Sequence, residues 1–289
     1  MANSEQLVLL SNGVKNWNDW RDCNPLISID FSGVDLSYAN FSNANFRRVN
    51  FNGANLSGTN LSYADLRGTL FTTVNLSGAT LKGASLDYAI LKGADLREAN
   101  FKGAELNGVI LKEADLRGAI LDHAILKDAE IDSKTQIEEK WRLIHQLINR
   151  PVQAQQLRGV NLSLACLSDT DLKFANLSDA NLNGAILSRI NLKCANLSGA
   201  NLSHAKLRGA ILNGANLSGA NFEGAILNGA ILKSALFSKA NLSETNLSDA
   251  DVTGARFGLC MGLTEAQQQH LVKRGAIFEP FSGDRDAAE

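Results

Sequence analysis

Ala54-Asn55-Leu56-Ser57-Gly58 states the rule by which most of this chain is written. On both sides of it the same order, A-[N/D]-L-x-x, returns with little change. Leu56 is the centre of its pentad. A hydrophobic counterpart stands at every fifth position from Phe31 to Ile131 and again from Leu162 to Phe257, giving 21 and 20 pentads. Every centre is Leu, Phe, Ile or Val. The position two before the centre is Ala in 14 of the 21 pentads of the first array and in 16 of the 20 of the second, so large and small apolar residues alternate. A period of five matches neither the 3.6 of a helix nor the 2 of a strand. It marks a structural repeat, in which one unit cannot bury its apolar side until the next stacks upon it. Glycine often stands two after the centre, as at Gly58, Gly83, Gly199 and Gly219. There it supplies the positive φ of a tight turn without steric cost.

The beat divides the chain. Residues 1–28 form an N-terminal helical cap, 29–133 the first array, 134–159 a helical insertion, 160–259 the second array, and 260–289 a C-terminal helical cap and tail. In the first segment Leu7, Leu10, Val14, Trp17 and Trp20 share one helical face. Ser4 is the expected N-cap, Asn12-Gly13 divides the segment into two helices, and Pro25 closes it. In the insertion Thr135 and Glu138 spell a capping box. Ile137, Trp141, Ile144 and Ile148 form the stripe that follows, and Asn149-Arg150-Pro151 stops it. The last segment repeats the device: Thr264 with Gln267, apolar contacts from Leu271 and Val272, and a stop at Gly275. Helices at these places cover the open apolar layers and unpaired backbone of terminal repeats. Ile131 and Leu162 are 31 residues apart, not a multiple of five, so the phase shifts across the insertion. Two stacked rods, or one rod with the helix looped out, both fit.

A net charge of −2 argues against a strongly basic face for nucleic acid. The first array holds 13 acidic and 10 basic residues, the second 7 and 8, so neither builds a continuous acidic surface. Cys23, Cys166, Cys194 and Cys260 show no C-x-x-C or zinc spacing and read as free thiols of a reducing, cytoplasmic compartment. No basic leader and no run near the ~20 apolar residues of a membrane span occurs, so no membrane association is expected. G-x-S-x-G, Walker and G-x-G-x-x-G motifs are missing. His123, His145, His204 and His270 are scattered, read as outward or helical surface residues, and lack a matched Cys or carboxylate cluster. The sequence predicts no enzyme: no catalytic, cofactor-binding or metal-ligating residue, and no cofactor.

The A-[N/D]-L-x-x run over 29–133 and 160–259 resembles the pentapeptide-repeat proteins. Trp17-Asn18-Asp19-Trp20-Arg21, Gly262-Leu263-Thr264 and Gly275-Ala276-Ile277-Phe278 look like the ends of cyanobacterial members. The resemblance implies an all-β solenoid: a right-handed quadrilateral β-helix, four pentads to a coil and about five coils per array, with short α-helices at the N-terminus, middle and C-terminus. It places residue n on residue n+20. On that register Asn161, Asn181, Asn201, Asn221 and Asn241 form an amide ladder. Arg97 stacks below Arg117 among Asp95, Glu98 and Asp115 as a salt-bridged, solvated face. Leu70, Ile90 and Ile110 make a half-buried apolar column. Tyr38, Tyr63 and Tyr88 wind across three faces. The resemblance further implies a non-enzymatic role: a rigid solenoid offering flat faces to an unidentified protein partner, with no direct nucleic-acid contact, and monomeric because both ends are capped. Some family members resemble a B-DNA rod and bind DNA gyrase. That alternative, a DNA-mimic modulator of gyrase, is disfavoured by the near-neutral arrays.

Overall fold

A computed structural model describes residues 4–150 and 154–278. The chain forms two compact units, Met1–Asn149 and Arg150–Glu289. Within each, the pentad is a turn pinned on both sides. Phe31 N–H donates to Asn50 O (2.7 Å) and Asn50 N–H donates to Ile29 O (2.9 Å), which closes a parallel bridge between Asp30 and Asn50. Such bridges join n to n+20 from Asp30↔Asn50 to Ile110↔Glu130 in the first unit and from Gln156↔Asn176 to Asn241↔Met261 in the second. Between bridges the carbonyl of the centre accepts the N–H three residues on, as from Ala54 to Phe51 (3.0 Å). The residue two after the centre takes a positive φ, +63° at Gly58 and +59° at Tyr38.

This backbone corrects the expected fold class. Among the described residues only Arg256–Phe257 (β1) and Ile277–Phe278 (β2) are strands, two residues each and paired in parallel, and no closed or curled sheet is present. The pentad supplies the reason. One residue in five sits at positive φ and its neighbour lies in the same turn, so extended backbone never runs long enough for successive ladder bonds. The arrays are turn-rich chain pinned by single-residue bridges, and neither "all-β", "β-helix" nor "solenoid" describes them.

The inward alternation places the core. Leu56, Leu96, Leu202 and the small residues before them, Ala54, Ala94 and Ala200, are buried, while Leu36 and Ile131 are half-buried centres. Phenylalanines gather toward the ends. In the first unit Trp17 packs on Phe31 and Phe46 (centroids 5.7 and 5.6 Å), and Phe51 stacks on Phe71. In the second, Phe237, Phe257 and Phe278 stack in succession at 4.7 and 5.1 Å. Trp17 and Phe278 extend these ring stacks from the arrays into the terminal segments.

Among the described residues four helices accompany the arrays: α1 Ser4–Ser11, α2 Val14–Cys23, α3 Glu139–Asn149 and α4 Glu265–Lys273. The chain divides α1 from α2 at Asn12-Gly13, where Gly13 has φ +100°. Leu10 and Trp17 are buried; Leu7, Val14 and Trp20 are half-buried. Ser4 is the first helical residue, and its side chain lies outside the described residues. α3 differs from its expected start. Thr135 is inward rather than a cap, 2% exposed, and its Oγ1 donates to Leu111 O (3.0 Å). One extra residue ahead of it makes Asp115 pair with Gln136, twenty-one residues on, and moves Thr135 into a small-residue slot. The buried stripe of α3 is Trp141, Ile144, His145 and Leu147, with Ile137 and Ile148 only half-buried. In α4 the capping box forms: Thr264 Oγ1 accepts from Gln267 N–H (3.3 Å), and Gln267 Oε1 accepts from Thr264 N–H (2.8 Å). Leu271 is buried and Gly275 turns at φ +87°, but Val272 is 52% exposed and points away from the coil.

Candidate interaction surface

Each pentad buries two residues and turns three outward, so the outward side chains stand in columns along each unit. The residue before the centre is Asn or Asp for a double reason. In Asn176 the Oδ1 accepts Ser178 N–H (3.2 Å), which fixes the turn of its own pentad. Its Nδ2 donates to Gln156 (3.2 Å), and Asn196 and Asn216 repeat both contacts above it, donating to Asn176 (3.3 Å) and Asn196 (3.2 Å). This continuous ladder escaped the sequence reading, although its twenty-residue spacing was there to find. In the expected column, Asn181 donates to Asn161 at 3.4 Å and Asn241 to Asn221 at 3.0 Å.

The arginine face is built as read. Arg97 grips Asp95 with Nε and Nη2 (2.8 and 2.6 Å), and Arg117 grips Asp115 likewise (2.9 and 2.6 Å). These charge-assisted bonds hold both carboxyls below the usual carboxylate range. Leu70, Ile90 and Ile110 are bridged in one half-buried column. Tyr38, Tyr63 and Tyr88 are exposed, each beside the glycine twenty residues on.

At the ends, each cap contributes an arginine to backbone carbonyls. Arg21 donates to Ile27 O (3.2 Å) and Arg47 O (2.9 Å). Arg142 donates to Thr135 O (2.6 Å), and Arg274 to Leu247 O (3.2 Å) and Ala250 O. A terminal coil has carbonyls with no coil on its outer side to donate to them, and a guanidinium supplies several donors from one side chain. His145, read as a surface residue, is buried instead, with Nε2 2.7 Å from Ala129 O. A carbonyl only accepts, so that nitrogen carries the proton.

All four cysteines are free. Burial pushes the Cys260 thiol up to about 11, and its Sγ donates to Phe237 O at 2.7 Å. Among the described residues no group of His, Cys, Asp or Glu could hold a metal ion, and no helix is long and apolar enough to cross a membrane.

The profile of the pentapeptide repeats matches in 8 copies, over residues 29–68, 50–87, 75–112, 89–128, 156–193, 175–214, 195–233 and 227–258. Among solved structures, HetL of the cyanobacterium Nostoc, a pentapeptide repeat protein involved in heterocyst differentiation regulation, is 30% identical. That similarity covers 88% of this chain and 96% of HetL, with a TM-score of 0.31. A pentapeptide repeat protein of the Arabidopsis thaliana thylakoid lumen is 31% identical over 45% of this chain and 83% of its own (TM-score 0.27). Full-length QnrB1, a plasmid-mediated fluoroquinolone resistance protein, is 20% identical over 85% of this chain and 98% of its own (TM-score 0.29). No curated protein matches in sequence. With its profile match spread over both arrays, the chain belongs to the pentapeptide-repeat family.

Proposed function

We propose that this protein is a rigid display surface whose outward columns bind a protein partner in a regulatory setting. The observation that carries this reading is the pentad register. Two residues of each five are spent on the core, and the other three are held at fixed spacing by bridges from n to n+20. A partner meeting such a face pays little ordering entropy on this side, because the face is already ordered. The 30% identity to HetL supports the regulatory setting. The reading includes a monomer, supported by the arginine-capped carbonyls at its ends, and a reducing, cytoplasmic site, supported by four free thiols. Gyrase mimicry finds no support in the charges, since Asp65, Asp95 and Asp115 are each neutralised by an arginine two residues on. No inhibition of gyrase supercoiling at low micromolar protein is the expected result.

The test uses the full chain carrying a photo-crosslinking residue at one exposed position at a time: Lys102, Lys127, Lys193 or Arg208. One column should give a discrete adduct that excess unlabelled protein competes away. Adducts of equal yield from every column, or none that is competed, would defeat the reading.

A further inference from the structure

Beside α2, at the start of the first array, lies a cleft of about 280 Å3 lined by Arg21, Asp22, Leu26, Asn45, Arg47 and Arg48. Three guanidinium groups face one carboxylate there. Arg21 is 5% exposed, its two amino groups are committed to carbonyls, and its Nε meets no acceptor. Among the described residues neither Arg21 nor Arg48 has a carboxylate within ion-pair distance. Arg47 Nε reaches Asp65 only at 3.7 Å, and Asp65 is already gripped by Arg67 at 2.8 and 2.5 Å. Burial and the nearby Arg47 push the Arg21 guanidinium below its ordinary value, which marks positive charge gathered without its counter-charge. Buried cations are ordinarily paired, because desolvation otherwise costs several kcal/mol. Arg48 stands at positive φ (+57°), the corner place where glycine often sits in this chain, with its Cγ over Gly68. The turn does not need an arginine at that place.

We propose that this cleft binds a dianionic oxyanion of the phosphate class, either the free ion or a phosphate monoester. Arg48 and the terminal amino groups of Arg47, whose Nε alone reaches toward Asp65, supply the N–H donors. Buried Arg21 supplies field rather than contact. Three positive charges against Asp22 leave a net charge that a dianion neutralises. Planar guanidinium forks match the tetrahedral oxyanion better than ammonium groups do. The inference does not depend on the display-surface reading.

The full chain is titrated by calorimetry at low ionic strength with inorganic phosphate, with glycerol 3-phosphate, and with succinate as a dicarboxylate of equal charge. The same titrations follow for R47Q, R48Q and, as a distant control, K127Q. Arg21 is left intact because it clamps the cap, and unliganded melting curves verify that each variant is folded. Phosphate or its monoester should bind the wild type and K127Q alike, and the tighter of the two identifies the source. R47Q and R48Q should each weaken binding about tenfold or more. The proposal fails if folded R47Q and R48Q bind like the wild type, if succinate binds as tightly as phosphate, or if neither phosphate ligand binds at millimolar concentration.

Discussion

Tyr38 lies against Gly58, the residue twenty positions on, with two ring carbons 2.7 Å from where a β-carbon of residue 58 would stand. Tyr63 with Gly83 and Tyr88 with Gly108 repeat the contact. Each ring fills the room that a missing side chain leaves, which couples two corner positions the five-residue pattern treats as independent.

That coupling separates two glycines of the same conformation. Gly58 and Gly78 have φ +63° and +65°, but nothing lies within 4 Å of a β-carbon at Gly78. Gly78→Ala should cost about 1 kcal/mol, the ordinary penalty of left-handed backbone for an L-residue. Gly58→Ala should cost about 1 kcal/mol more, because the ring must leave its place. Adding Tyr38→Ala to Gly58→Ala should remove the excess. Denaturant unfolding of wild type, Gly78→Ala, Gly58→Ala, Tyr38→Ala and the Tyr38→Ala/Gly58→Ala pair gives the cycle, and equal losses for both glycines would refute the contact.

The core makes a larger demand. Leu96 and Leu202 are fully buried, and the register sets Leu96 between Leu76 and Leu116 and Leu202 between Leu182 and Phe222. Leu96→Ala or Leu202→Ala should destabilise by about 2–5 kcal/mol, since neighbouring bridges prevent collapse into the void. A midpoint within error of wild type in both would contradict the inward assignment.

Thiol reactivity should sort by place. Cys23 and Cys194 are exposed, whereas Cys260 is shielded and held toward its neutral form, near 11. The thiolate is the reactive species. Alkylation at pH 8, followed by peptide mass spectrometry, should label Cys23 and Cys194 well before Cys260. Labelling of Cys260 at the same rate would show that its shielding is not real.

Acid stability follows from the arginine-gripped carboxylates. The Asp95 and Asp115 values lie below their ordinary value in the folded state, chiefly through hydrogen bonds from Arg97 and Arg117. Folding is therefore favoured while they are ionised. The contribution is complete above the unfolded carboxylate value, about 3.9, and is lost as pH falls through the depressed folded values. Both pairs are partly exposed, so the effect is modest and falls with added salt. Melting temperature should be insensitive to Asp95→Asn near pH 2 and lowered by it at pH 7. A larger loss at pH 2 than at pH 7 would reverse the sign and sink the assignment.

Much of this was legible in the pentad itself. Which residues face inward follows from a period that every coil must keep, so Leu96, Ala94 and their counterparts could be assigned from letters alone. The strand class was not legible, because a hydrophobic beat reports which side faces in and not how many consecutive residues stay extended. Thr135 was misread because one inserted residue moved it from a cap position into the core. The cap arginines and His145 left no local signal. Their acceptors are backbone carbonyls far along the chain, such as Arg47 O for Arg21 and Leu247 O for Arg274, and on a helical wheel each looks like a solvated polar residue. The Arg47–Arg48 cleft likewise needs α2 folded against the coil before it exists.

The foot of the amide ladders carries a final consequence. Asn50 and Asn55 donate to Asp30 Oδ1 (2.9 Å) and Asp35 Oδ1 (3.0 Å). An amide both gives and takes a hydrogen bond, but a carboxylate only takes. These two columns therefore have polarity, and their lowest members have nothing to hand down, unlike the column in which Asn60 donates to the amide of Asn40. A second copy arriving beneath would meet acceptors facing acceptors, so two aspartates act as a chemical full stop against end-to-end growth.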